Sequence, residues 1–292
     1  AVAPIPFSSS VYLATESILA NGSVEQKEKW LPKLASGEVV GTFALAEGSG
    51  RPSADSLNTR FEAGKLTGKK LPVPDGNIAD FAVIVTKGGT GDGASLALVE
   101  LNQEAVIRSS VRTLDFSRGH ASIEFKGAEA EILGADGSGW SAMEALMDRA
   151  AVMFAWEQVG IADAALEQAR DYAMGRYAFG RAIASYQAIK HKLADMYVKN
   201  TLARSNCYYG AWALNSDSSE LALAAATARV GAIQASVNAA QENVQTHGGM
   251  GFTWEFDCQF FYRRAKLLSV NIGSEGFWQD KLITAYEQSN VA

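Results

Sequence analysis

Two short stretches hold residue types that together suit one kind of ligand. The first is Arg176-Tyr177-Ala178-Phe179-Gly180, continued by Gln187; the second is Gln245-Thr246-His247-Gly248-Gly249. A guanidinium matches a pyrophosphate through charge-assisted hydrogen bonds. An aromatic ring suits an adenine face, and side-chain amides and bare glycine backbone add donors at close range. Such groups grip a flat, phosphate-bearing cofactor. Arg176 and Phe179 are spaced i, i+3, so on a turn or helix end they share a side. Gln187, within the next helix, is placed to hydrogen-bond the same ligand. Other readings stay open on these residues alone: a surface arginine beside a core phenylalanine at a helix junction, and a plain glycine C-cap. Gly248-Gly249-Met250-Gly251 follows a helical pattern rather than a strand, so it is not the dinucleotide fingerprint.

The elements that must position these stretches are mostly helical. From Trp140 onward the apolar residues recur with the helical period. Helices are expected near 138–174, 181–214 and 218–247, with shorter ones near 255–270 and 275–289. The third opens on Ser218-Ser219-Glu220, a plausible N-cap, and ends at Gly248, where a C′ glycine belongs. Its small residues Ala222, Ala224, Ala225, Ala226 and Ala228 let neighbours approach closely, and short loops imply an antiparallel bundle. At the other end, residues 9–37 read as helix, with a capping box at Ser23-Val24-Glu25-Gln26, a kink or restart at Pro32 and a stop at Gly37. Between them lie short β-type runs: Val39–Ala46, a hairpin Asn58–Ala63 and Lys65–Leu71 about Gly64, then Asp80–Lys87, Ala94–Leu101, Ile107–Leu114 and Ala121–Phe125. Their spacing suggests a small barrel or sandwich.

The expected class is α+β multidomain, mainly α. N-terminal helices (1–38), truncated or shortened, precede a small β-domain (39–130) and a C-terminal antiparallel four-helix bundle (131–292). The 292 residues leave room for that, and 48% hydrophobic with 20% charged residues is an ordinary globular composition. A net charge of −6 and the lack of any Lys/Arg block argue against nucleic acid. Cys207 and Cys258 form no spaced pair and suit a reducing cytoplasm, the expected location. His120, His191 and His247 are nowhere at ligand spacing, so no metal is expected. Alanine-rich runs such as Leu221–Val230 are not membrane spans. Ala1-Val2-Ala3-Pro4-Ile5-Pro6 lacks the charged start of a signal peptide.

Further motifs join the first two. Gly22-Ser23-Val24-Glu25-Gln26-Lys27 with Trp30-Leu31-Pro32 and Phe43-Ala44-Leu45-Ala46-Glu47 come first. Arg176 through Ile183 with Gln187 and Leu193-Ala194-Asp195-Met196 follow. Gln245 through Thr253 and Arg263-Arg264-Ala265-Lys266 close the set. In this order they resemble the acyl-CoA dehydrogenases, flavoproteins that oxidise acyl-CoA thioesters between Cα and Cβ, over essentially the whole chain. The resemblance implies FAD bound in an extended form between subunits of an oligomer. Arg176, Phe179 and Gln187 would match the positions at its adenosine and pyrophosphate end. Gln245, Gly248 and Gly249 would match the loop reaching the cofactor from a partner subunit, and Ser274 the Thr/Ser that contacts FAD. It also implies an acyl-CoA substrate, in fatty acid or steroid side-chain oxidation, and electron-transferring flavoprotein as the usual acceptor.

The departures from the family pattern concern the flavin ring and the catalytic base. The family has further helices before the segment that Pro4-Ile5-Pro6-Phe7 resembles. Its Leu-Thr-Glu is Leu45-Ala46-Glu47 here, Pro52 replaces a serine, and its Trp-Ile-Thr falls on Pro72-Val73-Pro74. The usual Glu-Gly-Thr/Ser becomes Ile272-Gly273-Ser274, and the alternative base position on the first long bundle helix falls on Ala150. Glu275 and Glu157 are the nearby carboxylates, each also readable as an ordinary helix-start or bundle residue, so the catalytic residue is left open. Three readings follow. The chain is a subunit giving half of an interface FAD site to a heteromer with a catalytic homologue; or an active homo-oligomer with a displaced base; or a helical structural protein that has lost FAD and CoA.

Overall fold

The computed structural model describes residues 2–88 and 93–291. The chain divides into two compact units, Pro4–Met147 and a second made of Asp148–Ala292 with Ala1–Ala3.

In the first unit a π-helical stretch, Ser8–Thr15, leads into α1 (Glu16–Asn21) and α2 (Val24–Ser36). The single helix expected over 9–37 is interrupted at Gly22, whose backbone turns extended; a Cβ there would lie 2.6 Å from the Ile18 carbonyl oxygen. Ser23 restarts the helix through the expected capping box: its hydroxyl accepts from Gln26 N and its own N–H donates to Gln26 Oε1. Pro32 sits inside α2 and does not restart it. Trp30, buried against Phe81 with ring centroids 4.4 Å apart, anchors the turn before it, so packing outweighs one lost backbone bond.

The β-strands are β1 (Gly41–Ala44), β2 (Arg60–Glu62), β3 (Lys65–Pro74), β4 (Phe81–Lys87), β5 (Ala94–Glu100), β6 (Val106–Ser110) and β7 (His120–Leu133). They run in the order β1-β4-β2-β3-β7-β5, and β4 pairs with β5 as well, so the sheet closes on itself; β6 adds to β7. This settles barrel over sandwich. Its core holds Leu66, Val73, Ile84, Val99, Ile123 and Phe125. The helical N-terminus belongs to the same unit: Ser10 Oγ accepts from Gly41 N, and Gly41 leaves no room for a Cβ between Ala14 and Phe81.

The second unit is built on α3 (Gly139–Gly175) from Asp148 onward, α4 (Gln187–Asn215) and α5 (Leu221–His247), completed by α6 (Cys258–Leu268) and α7 (Glu275–Val291). Asp163 and Trp156 of α3 meet Arg204 and Tyr208 of α4, which makes that pair antiparallel. Lys192 and Asn206 of α4 lie by Glu242 and Gly231 of α5, which reverses direction again. Alanines floor these interfaces, among them Ala155, Ala162, Ala169, Ala203, Ala232 and Ala239. The second bundle helix begins six residues later than expected because a hairpin and a short 3-10 turn precede it. At α5, Ser218 Oγ caps Glu220 N from outside the helix rather than serving as its N-cap. Among the described residues no helix is long and apolar enough to cross a membrane, and no group of His, Cys, Asp and Glu could hold a metal.

Candidate cofactor site

Arg176 closes α3, its N–H donating to Tyr172 O, and Tyr177–Ala182 then forms a hairpin rather than a turn of helix. Tyr177–Ala178 (β8) pairs with Arg181–Ala182 (β9), and Phe179-Gly180 form the two-residue turn, with φ of +53° and +79°. Positive φ at both central residues is the hairpin turn whose twist matches its strands. Tyr186 braces the hairpin from below: its hydroxyl donates to Ala178 O at 2.9 Å, and the Arg181 guanidinium sits 4.0 Å over its ring. Phe179 is 97% exposed, so the core-phenylalanine reading falls. A ring held out on a braced tip is available to stack on something outside the chain. Arg176 and Gln187 are exposed as well.

The second stretch arrives at the same end of the bundle. His247, the last residue of α5, stacks on Tyr172 at 4.1 Å and packs edge-on against Phe256. Tyr172 O in turn accepts from Arg176 N. Lys192–Glu242 at 2.5 Å and Asn243 Nδ2–Gln168 Oε1 at 2.7 Å tie α5 to α4 and α3 just below. The hairpin and the glycine loop therefore lie at the same end of the bundle within one chain. Gly248 is the C-cap, at φ +60° and ψ −135°, as the plain reading also had it. A Cβ at Gly248 or Gly249 would meet nothing within 4 Å, so their backbone is open to a ligand. Gln245 is exposed beside them. Burial pulls the His247 imidazole pKa below its usual value, which the bond of Nδ1 to Asn243 O only partly offsets. The ring is therefore neutral at pH 7 and packs as an aromatic.

Ser274 stands elsewhere. Its hydroxyl accepts from Phe277 N at 3.3 Å and caps α7, and the neighbouring Glu275 accepts from Gln234 of α5 at 2.8 Å. Gln234 lies 13 residues before His247 on α5, or ~20 Å by helix rise. The structure thus gathers Arg176, Phe179, Gln187, Gln245, Gly248 and Gly249 at one end and leaves Ser274 partway down the bundle. Glu275 also lines a polar groove of about 340 Å³ with Lys199, Asn238 and Gln241.

Neither candidate base stands free. Glu157 Oε1 pairs with Arg264 Nη1 at 3.4 Å, and Arg264 is buried and also donates to Ala3 O. Glu275 Oε1 accepts from Gln234 and Gln279. Ala150 is wholly buried, and Ile272, where the resemblance puts the base, lies in the α6–α7 loop with φ +55°.

In the barrel, the segments aligned with the family's flavin-facing strands are joined to each other. Leu71 N donates to Ala46 O at 2.8 Å, and Thr42 Oγ1 donates to Pro74 O at 2.6 Å. Lys70, with no exposed surface, donates to Leu45 O at 3.0 Å and to Glu47 Oε1 at 2.7 Å. Burial alone would raise the Glu47 pKa, but Lys70 and the amides of Thr59 and Asn58 bring it down to about 2. Desolvation lowers Lys70 to about 8 in spite of Glu47. Next to Pro74, Asp75 forms a buried pair with Arg118 and accepts from Ser9, while Arg118 also holds Ser8 Oγ at 3.0 Å. Ala46, Pro72 and Pro74 bring no indole and no side-chain hydroxyl to this region. The residues present fit the adenosine end of FAD and do not reproduce the expected contacts to its ring.

Tyr172, Lys70, Asp75 with Arg118, and Arg229 escaped the sequence reading. Only Arg229 left a signal there, as a lone cation in an alanine run.

Comparison with known proteins decides the family. The acyl-CoA dehydrogenase C-terminal domain model matches residues 137–283, and the N-terminal domain model matches residues 1–38. An acyl-CoA dehydrogenase of Bacillus subtilis is 34% identical over 275 residues, covering 90% of this chain and 72% of the relative. The chain belongs to the acyl-CoA dehydrogenase family. Acyl-CoA dehydrogenase IpdE2 of Mycobacterium tuberculosis is 32% identical, covering 80% of this chain and 67% of the relative. Among solved structures, one described as the electron transferring flavoprotein of Acidaminococcus fermentans superposes with a TM-score of 0.91 at 27% identity, over 96% of this chain and 77% of that one. Butyryl-CoA dehydrogenase of Megasphaera elsdenii gives a TM-score of 0.89 at 24% identity, over 96% of this chain and 76% of that one, which speaks for the fold. Acyl-CoA dehydrogenases are FAD-dependent oxidoreductases of acyl-CoA metabolism, and the family is oligomeric.

Proposed function

We propose that this chain is a flavoprotein subunit for α,β-dehydrogenation of an acyl-CoA thioester. In this reading it supplies the adenosine-end half of an interface FAD site to a heteromeric complex with a catalytic homologue. One contrast carries the reading. The adenosine-end groups are assembled and exposed, whereas Ile272 and Ala150 hold the two base positions and Glu157 is tied to Arg264. Bound FAD supplies the hydride acceptor. The chain's own residues bind and orient it: Arg176 toward the pyrophosphate, Phe179 against the adenine, Gln187 and Gln245 as hydrogen-bonding amides, Gly248 and Gly249 as open backbone, and Ser274 as a further contact. The partner supplies the carboxylate that removes the α-proton. Electron-transferring flavoprotein is the acceptor in this reading.

Co-expression with a homologue that keeps a glutamate at the base position tests the proposal. The expected product is a stable heteromer carrying flavin, with less flavin per chain once Arg176 or Phe179 is replaced by alanine. A colourless complex of the correct mass overturns it. The active homo-oligomer keeps one observation in its favour: Glu275 lies only three residues past the base position. Turnover by the chain alone that Glu275→Gln abolishes would establish that alternative.

A further inference from the structure

The α6–α7 loop is held by a guanidinium from inside the bundle. Arg229 lies in the first third of α5 with no exposed surface. One of its terminal nitrogens donates to Gln158 Oε1 of α3. The other donates to Leu268 O, the last residue of α6, and to Asn271 O at 2.8 Å. Gln158 is itself fixed, since its Nε2 donates to Ser236 Oγ at 3.1 Å. The Arg229 carbon fork lies 5.6 Å over the Phe154 ring. Such burial is costly: desolvation lowers the Arg229 pKa to about 9, with Glu157 acting in the opposite direction. A charge kept inside an alanine-lined bundle at that cost must do something an apolar residue cannot.

What it does follows from its acceptors. The last carbonyls of a helix lack intrahelical partners, and α6 ends inside the unit. Arg229 satisfies two carbonyls of the turn at once. The chain then passes through Ile272 at φ +55° and Gly273 at φ +121° before Ser274 caps α7. A Cβ at Gly273 would sit 2.5 Å from the Phe277 ring, so the turn has little freedom to relax. We infer that Arg229 is the positioning residue of this loop: through Leu268 O and Asn271 O it sets where Ser274 is presented. The inference deepens the reading of Ser274 as a cofactor contact and rests on it. Gln158 makes α3 the fixed end of the same arm.

Arg229→Gln and Arg229→Lys test this in the assembled flavoprotein. Glutamine is too short to reach both carbonyls, whereas lysine keeps the charge and most of the reach. Two readouts are taken: hydrogen exchange of the amides of Ile272–Phe277, and the FAD dissociation constant by flavin fluorescence. For Arg229→Gln both should rise about tenfold, with exchange in α3 and α4 unchanged, and Arg229→Lys should recover most of both. Unchanged loop exchange in Arg229→Gln overturns the inference. So does a uniform rise in exchange across the bundle in both variants, which marks ordinary core damage. If the wild-type complex binds no FAD, the functional reading fails, and the exchange comparison alone still decides whether Arg229 sets the loop.

Discussion

Replacing Glu47 by glutamine should damage the barrel more than replacing its partner. Lys70 is wholly buried and its ammonium meets one carboxylate oxygen at 2.7 Å, with Leu45 O as its other acceptor. Glu47→Gln keeps the shape but leaves one acceptor oxygen where Asn58 N and Thr59 N use two, and it removes the carboxylate charge that faces Lys70. Stranding a buried charge costs about 3–5 kcal/mol. Lys70→Met strands the less costly member, because Glu47 keeps 13% of its side-chain surface and both amide donors; about 1–2 kcal/mol is expected. The double variant should cost less than the sum of the two, with a coupling of about 2 kcal/mol. The pH dependence has a definite sign. The Glu47 pKa of about 2 lies below its ordinary value, so its contribution is complete above the unfolded pKa and is lost as pH falls toward 2. The Lys70 pKa of about 8 lies below its ordinary 10.5, so its penalty is present at pH 7 and relieved as pH rises from 8 to 10.5. The Glu47→Gln deficit should therefore shrink in alkali, where Lys70 loses its charge. Urea unfolding of the four proteins at neutral and alkaline pH measures this. A Glu47→Gln variant within 1 kcal/mol of wild type, by about the scale of an exposed pair, or a deficit that does not shrink with pH, refutes the reasoning.

Other outcomes are equally definite. Phe179→Ala should weaken FAD binding by roughly tenfold, the scale of a lost stacking contact, and leave the melting temperature unchanged, because the ring touches nothing folded; calorimetry and fluorescence titration separate the two effects. Glu157→Gln should cost about 2 kcal/mol in urea unfolding, the scale of a hydrogen bond to a charged group, because it removes the carboxylate charge 3.4 Å from the buried Arg264, while leaving any flavin reduction rate intact; a lost rate with unchanged stability would make Glu157 the base. The His247 pKa is lowered by burial, so the folded state resists protonation. Stability should fall as pH drops below the ordinary imidazole value, and His247→Phe should reduce that acid sensitivity in a pH series of melting curves.

The element order was legible because it rests on period. Alternation gave the strands, and the recurrence from Trp140 onward gave the helices. Barrel closure was not legible, since it depends on β4 pairing with both β2 and β5, contacts far apart in sequence. Local propensity also erred where packing dominates: Pro32 sits inside α2, and Phe179, apolar enough for a core, stands almost fully in solvent. The hairpin at 177–182 was missed because no alternating pattern fits in two-residue strands. At the site, residue types identified the binding groups, but the buried ties behind them are long-range pairs that spacing does not encode. Tyr172 with His247, Lys70 with Glu47, and Arg229 with Asn271 are such pairs.

The central claim is that this chain keeps the grip on the cofactor's adenosine end and has given up the proton-removing carboxylate. Anaerobic acyl-CoA addition to the chain supplied with FAD, alone and then joined to its catalytic homologue, tests it most directly. The expected result is no bleaching of the flavin band for the chain alone and full bleaching for the heteromer. Prompt bleaching by the chain alone, with any acyl-CoA, contradicts it.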